Sequence, residues 1–146
     1  MDKIPLSSFK EQNKKIVLTN GCFDILHVGH VRYLQEARKL GDILIVGVNS
    51  DQSVQKLKGE SRPINKDIDR AEILKALSCV DYTWIFEEET ADELIEKIQP
   101  SIYVKGGDYK EEDLPEYMTL KKLNVEVVFV NFHDGHSTTS IINRFT

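Results

Sequence analysis

The chain has 146 residues, a net charge of −5 and 40% hydrophobic residues, enough for one domain over 1–146 with a proper core and too few for two large ones. An acidic body argues against nucleic acid as the main partner, and two cysteines (Cys22, Cys79) without CxxC or metal-ligand spacing argue against a disulfide scaffold and fit a reducing, cytoplasmic setting. No apolar run is long enough to cross a bilayer, and Met1-Asp2-Lys3-Ile4-Pro5 carries no apolar leader, so no membrane partner is expected.

Residues 1–14 are polar with one proline and read as a leading segment or short helix. A β-branched run predicts a first strand over 16–20, and Val31, Leu34 and Ala37 recur at helical spacing over 28–40, with Gly41 as a C-cap signal. The continuous apolar run 42–49 reads as a strand buried on both faces. Residues 50–63 are polar and read as a loop; Asn65 is a candidate N-cap for a helix bearing Ala71, Leu74 and Leu77. A third strand covers 80–86, and Glu87-Glu88-Glu89 reads as solvated loop. Thr90-Ala91-Asp92-Glu93 has the capping-box form before Leu94, Ile95 and Ile98, and Pro100 ends that helix. A fourth strand over 101–105 runs into the turn Gly106-Gly107-Asp108-Tyr109. A helix over 114–123 has Pro115 near its first turn, a fifth strand covers 125–130, and Ser137 opens a last helix bearing Ile141, Ile142 and Phe145. Alternating strands and helices predict an α/β fold, a Rossmann-like doubly wound sandwich with a five-stranded parallel sheet and helices on both faces.

Ligands of such sheets bind beyond the carboxyl ends of the strands, near the reversal of strand order. Polar motifs collect there after four strands: His27 and His30, Asn49 and Asp51, Lys105-Gly106-Gly107-Asp108, and the stretch from His133 to Thr139. Two imidazoles three residues apart, at the start of a helix, meet the backbone N–H groups and the positive end of the helix dipole, a place for phosphate. Gly29 between them allows close approach. Imidazole donates to phosphate oxygens, more strongly as charge builds in a transition state. The spacing supplies no third ligand, so no metal site is expected. Lys105 at a strand end suits an acceptor phosphate, beside Gly106 and Asp108; Asp24 could orient a histidine or bind acceptor hydroxyls, and Asp51 the latter. By themselves, Lys58 reads as an exposed surface charge and Arg70 as a helix-surface ion pair. A Rossmann-type oxidoreductase is disfavoured, since no Gly-x-Gly-x-x-Gly follows the first strand.

His27-Val28-Gly29-His30, preceded by Gly21-Cys22-Phe23-Asp24, resembles the signature of the nucleotidyltransferase (cytidylyltransferase-like) superfamily. Within it, Thr19 to His27, Ala37-Arg38-Lys39-Leu40-Gly41-Asp42, Leu57-Lys58-Gly59, Arg62-Pro63-Ile64-Asn65, Val104 to Tyr109 and Ser137-Thr138-Thr139 look like the adenylyltransferase domains of bacterial ADP-heptose synthases. The resemblance implies transfer of AMP from ATP, carried with Mg²⁺, to D-glycero-D-manno-heptose 1-phosphate, with pyrophosphate released, for lipopolysaccharide or another surface glycan. It implies catalytic roles for His27, His30 and Lys58, and nucleotide contacts from Asn20, Gly21, Cys22, Phe23, Gly29 and His30. Gly135, Ser137, Thr138 and Thr139 would hold the triphosphate, and Arg70 matches a superfamily arginine. A separate heptose kinase and a homodimer are the partners it suggests. Phe132 stands where glycerol-phosphate cytidylyltransferases carry an arginine, which disfavours the alternative of a cytidylyltransferase acting on a small polyol phosphate. His136 stands where heptose enzymes often have cysteine, and the roles of His133 and His136 are left open. A nucleotide-binding sensor without turnover is the other alternative.

Overall fold

The computed structural model describes residues 3–131 and 142–144. Helix α1 (Leu6–Glu11) leads into β1 (Ile16–Gly21), α2 (Val28–Arg38) and β2 (Ile43–Asn49). Then come α3 (Asp51–Lys58), α4 (Asp67–Lys75), β3 (Tyr82–Phe86), α5 (Asp92–Ile98) and β4 (Ile102–Gly106). A 3-10 turn (Glu111–Asp113), α6 (Tyr117–Lys122) and β5 (Glu126–Val130) complete the described elements. All pairings are parallel and the strand order is β3-β2-β1-β4-β5. The chain winds outward from β1 in both directions, so the order reverses between β1 and β4, where the carboxyl ends diverge and leave a crevice.

Alternation along the strands divides the core. Ile16, Leu18, Ile43, Ile45 and Tyr103 pack with Leu94, Ile95 and Ile98 of α5 and Leu120 of α6, and Leu6 and Phe9 of α1 close over that face. Val17, Leu44, Val46, Val48 and Val104 pack with Tyr33, Leu34 and Ala37 of α2 and Ala71 and Leu74 of α4 on the other. Strand β2 is buried along its whole length because helices cover both its faces, which is why its sequence is continuously apolar. Gly47 lies under α5, and a Cβ there would come within 2.5 Å of Leu94 Cδ2.

The five strands and the doubly wound α/β class agree with the sequence pattern. Four local expectations change. Part of the expected loop 50–63 is helix α3: Ser50 Oγ caps it by accepting from Ser53 N at 3.2 Å, and Val54 anchors it to the core. Lys66, not Asn65, is the residue that precedes α4, because the Asn65 side chain donates to the Asp24 carbonyl at 2.8 Å. Thr90 does not cap α5; its hydroxyl bonds to Asp92 Oδ2 at 2.6 Å, and Ala91 holds the N-cap position. Gly41 is not a left-handed cap either: a Cβ there would lie 2.8 Å from the Lys15 carbonyl oxygen, so close packing onto β1 is what demands glycine.

Candidate active site

A cavity of about 720 Å³ opens at the carboxyl ends of the strands. The end of β1 supplies Asn20 and Gly21, the turn after it Cys22, Phe23, Asp24 and His27, and the start of α2 His30; the end of α3 supplies Leu57 and Lys58, with Arg62 beyond it. Lys105 and Gly106 come from β4, Glu89, Thr90 and Ala91 from the loop after β3, and Pro115 and Glu116 from the approach to α6.

The turn is built around an unusual backbone. Phe23 has φ +48°, the left-handed region that costs a non-glycine residue roughly 1–2 kcal/mol. That conformation buries the Phe23 ring, which meets the His30 ring edge-on at 5.2 Å between centroids. Gly21 makes room for it, since a Cβ would sit 3.0 Å from the Phe23 ring.

His27 is the N-cap of α2, with extended backbone, and its Nδ1 accepts from Gly29 N at 3.1 Å. The His30 Nδ1 accepts in turn from His27 N at 3.3 Å. Both Nδ1 atoms are therefore acceptors, so in each neutral ring the proton sits on Nε2. The rings stack, centroids 3.8 Å apart and 25° between planes. Burial, and secondarily the charge of His27, push His30 down to about 4. It is neutral at pH 7 until something nearby carries negative charge.

Beneath this pair lies a different kind of polar structure. Asp24 is buried and accepts from Arg62 Nε at 2.7 Å, from Ile64 N at 2.8 Å and from Asn65 N at 2.9 Å. Burial alone would raise its carboxyl, but the Asn65 and Ile64 amides and Arg62 together hold it below the usual range. Arg70 is 1% exposed. It donates from Nε to the Asn65 carbonyl (2.9 Å), from Nη1 to the Cys22 and Asn49 carbonyls (2.7 Å each), and from Nη2 to Asp51 Oδ1 (2.9 Å). Asp51 and Asp67 exchange backbone-to-carboxylate bonds, Asp67 N to Asp51 Oδ1 at 2.8 Å and Asp51 N to Asp67 Oδ2 at 3.0 Å. These contacts tie the β1 turn, the end of β2 and the α3–α4 connection into one unit.

The structure thus gathers Asn20, Gly21, Cys22, Phe23, Asp24, His27, His30, Lys58, Lys105 and Gly106 around one cavity. Gly29 is buried behind the turn, with its N–H directed to His27. Asp51 and Arg70 do not line the cavity; they bond to each other and to backbone, in place of the acceptor contacts expected from sequence. Asp24 reaches the wall, yet its oxygens are taken by Arg62 and backbone amides rather than left for acceptor hydroxyls. Asp108 lies in the exposed turn beyond Gly107, away from the lining. Burial raises the Cys22 thiol despite nearby Lys58, Arg70 and Arg62, so it is held as a thiol. Gly135, Ser137, Thr138 and Thr139, with Phe132, His133 and His136, lie outside the described residues. Among the described residues no three His, Cys, Asp or Glu side chains are grouped to hold a metal ion, and no helix is long and apolar enough to cross a membrane.

Several lining residues escaped the sequence reading. Arg62 was legible only as part of a polar loop. Glu89 and Thr90 follow β3 at its carboxyl end, the position at which ligand contacts gather in such sheets, so their place was open to inference despite the charge run. Tyr33 and Glu116 carry no sequence signal: a tyrosine on an apolar helix face and a glutamate before a helix are ordinary. Burial pushes Tyr33 up to about 12, and its hydroxyl bonds to Thr19 Oγ1 at 2.7 Å, below the turn.

A family profile described as cytidylyltransferase-like matches residues 18–144. The bifunctional protein HldE of Aliarcobacter butzleri is 60% identical over 131 residues, 90% of this chain and 27% of that protein. The HldE protein of a Nitratiruptor species is 55% identical over 134 residues, covering 92% and 28%. The chain therefore spans little more than a quarter of the length of these relatives. The crystal structure of the lipopolysaccharide core biosynthesis protein from Thermoplasma volcanium superposes with a TM-score of 0.68 at 29% identity, over 82% of this chain and 97% of that one. Pantothenate synthetase from Thermus thermophilus, at 15% identity and a TM-score of 0.57 over 86% of this chain and 59% of that one, shares the fold alone.

Proposed function

The chain belongs to the cytidylyltransferase-like family of nucleotidyltransferases, and on that premise we propose that it transfers AMP from ATP to D-glycero-D-manno-heptose 1-phosphate. The product is ADP-heptose, destined for lipopolysaccharide or another surface glycan. The observation that carries the reading is the stacked His27–His30 pair, both rings with Nε2–H as donor, on a cavity that also holds Lys58, Arg62 and Lys105.

An oxygen of the sugar phosphate attacks the α-phosphorus in line, the bond to the β-phosphate oxygen breaks, and pyrophosphate leaves. The attacking group is already an anion, so no strong base is required; the difficulty is to hold two anions together. The stacked imidazoles, each with its proton on Nε2, address one phosphate group. Negative charge brought by the nucleotide raises the proton affinity of His30, which burial otherwise lowers, so the pair gains positive charge as the transition state forms. Lys58, exposed at the end of α3, can fold over the leaving phosphates, and Lys105 suits the acceptor phosphate. Magnesium enters with the nucleotide as part of the substrate. Gly135 and Ser137-Thr138-Thr139 are assigned the triphosphate by resemblance. Asp24, Asp51 and Arg70 act as positioning residues that hold the β1 turn in place. A heptose kinase supplies the heptose 1-phosphate, the enzyme works in the cytoplasm, and it assembles as a homodimer.

The test is pyrophosphate release with ATP, CTP, GTP and UTP against both anomers of heptose 1-phosphate and against glycerol 3-phosphate. Turnover with ATP and a heptose 1-phosphate is the expected result; turnover restricted to CTP and a polyol phosphate would replace the adenylyl reading with the cytidylyl one.

A further inference from the structure

The cavity lining mixes two chemistries. His27, His30, Lys58, Arg62 and Lys105 are imidazole and cationic groups suited to phosphate, whereas Glu89 and Glu116 are carboxylic acids, which are not.

Glu116 is the outlier of the lining. It is 3% exposed, yet none of the ion pairs among the described residues includes it. Its Oε2 accepts a long bond from Ala91 N, at 3.4 Å, and its Oε1 is buried with no hydrogen-bond partner. The nearby Tyr103 hydroxyl donates to Asn20 Oδ1, and the charge and side-chain contact of Glu116 help to hold it protonated. A buried carboxylate with one oxygen unsatisfied is costly, and such a group at a cavity wall calls for a donor from outside the chain. Sugar hydroxyls are neutral donors, which a carboxylate accepts from without competing for the phosphate.

Resting on the adenylyltransferase reading, we propose that Glu116 determines acceptor specificity by taking a hydrogen bond from a hydroxyl of the phosphorylated sugar on its Oε1. The acceptor then lies in the cavity with its phosphate towards the cationic lining residues and a hydroxyl towards Glu116. A neutral-to-charged hydrogen bond of this kind is worth roughly ten- to a hundredfold in affinity.

The experiment measures KM for ATP and for heptose 1-phosphate in the wild type and in Glu116→Gln, with the melting temperature of each, and repeats both with monodeoxy heptose 1-phosphates. The expected result is an acceptor KM raised about ten- to a hundredfold with the KM for ATP within about twofold. One deoxy position should lose the same factor in the wild type and nothing further in Glu116→Gln. An unchanged acceptor KM beside a lowered melting temperature makes Glu116 a structural residue and overturns the inference while leaving the adenylyltransferase reading intact. Should the amide variant fold poorly, Glu116→Asp withdraws the charge by one methylene and gives the same readout. If the wild type turns over no heptose 1-phosphate, that reading falls, and equilibrium binding of heptose 1-phosphate, glycerol 3-phosphate and ribitol 5-phosphate decides on Glu116 separately. Weaker binding to Glu116→Gln sustains its role, and equal binding or none ends it.

Discussion

The histidine pair and the arginine network meet at the turn after β1 and follow opposite rules. Around Arg70 and Asp24 the charges are paired within the protein: Arg70 on three carbonyls and Asp51, Asp24 on Arg62 and two amides. The imidazoles of His27 and His30 instead bond to backbone N–H through one nitrogen each and stack on one another. The first cluster is bonded within the protein and holds the turn; the second is held by the turn and borders the cavity. A charged residue near a site is therefore no guide to whether it touches substrate, and its hydrogen bonds are.

Removing Arg70 should break the comparison most sharply. Arg70→Met strands the Cys22, Asn49 and Asn65 carbonyls and should cost about 3–5 kcal/mol in urea unfolding, with activity lost through the fold. Retained stability would mean that the network is dispensable. His30→Ala should do the reverse: turnover down about a hundred- to a thousandfold, with a nearly unchanged urea midpoint and ATP affinity. Normal turnover in that variant would remove the catalytic role.

The titration of His30 gives a third contrast. Its folded value, about 4, lies below the 6.5 of an exposed histidine, so the unfolded chain binds the extra proton. Stability from this residue is complete above pH 6.5 and drains away as pH falls to about 4, below which the loss levels off. The wild type should lose ground to His30→Gln over that interval by at most about 1.4 kcal/mol per pH unit. Parallel stability–pH curves for the two proteins would show that His30 is not desolvated. The smallest effect belongs to Lys58, exposed at the end of α3. Lys58→Ala should raise the KM for ATP about tenfold and move stability by less than about 0.5 kcal/mol. A larger stability change would place Lys58 with the network rather than with the histidines.

Strand count, parallel order and the turn carrying His27 and His30 were legible because they are local. Apolar runs, helical spacing and a strand-to-helix glycine turn are each written within about a dozen residues. Helix α3 was not, since Ser50 and Val54 are weak signals beside Lys56, Lys58 and Gly59, and packing on β2 decided the matter. Asp24, Asp51 and Arg70 were legible as charged residues near the right strand ends, but not as partners of one another.

Sequence alone determined the α/β class, the family and the histidine pair, because periodicity and a short motif suffice for them. Tertiary structure decided which charges are internal and which face the cavity. Arg70 meets Cys22 across 48 positions, Asp24 meets Asn65 across 41, and Glu116 meets Ala91 across 25. Hydrogen bonds are short and directional, so a pairing exists only once the sheet has brought distant backbone within about 3 Å. The same closure that satisfies Arg70 leaves Glu116 with an oxygen unpaired.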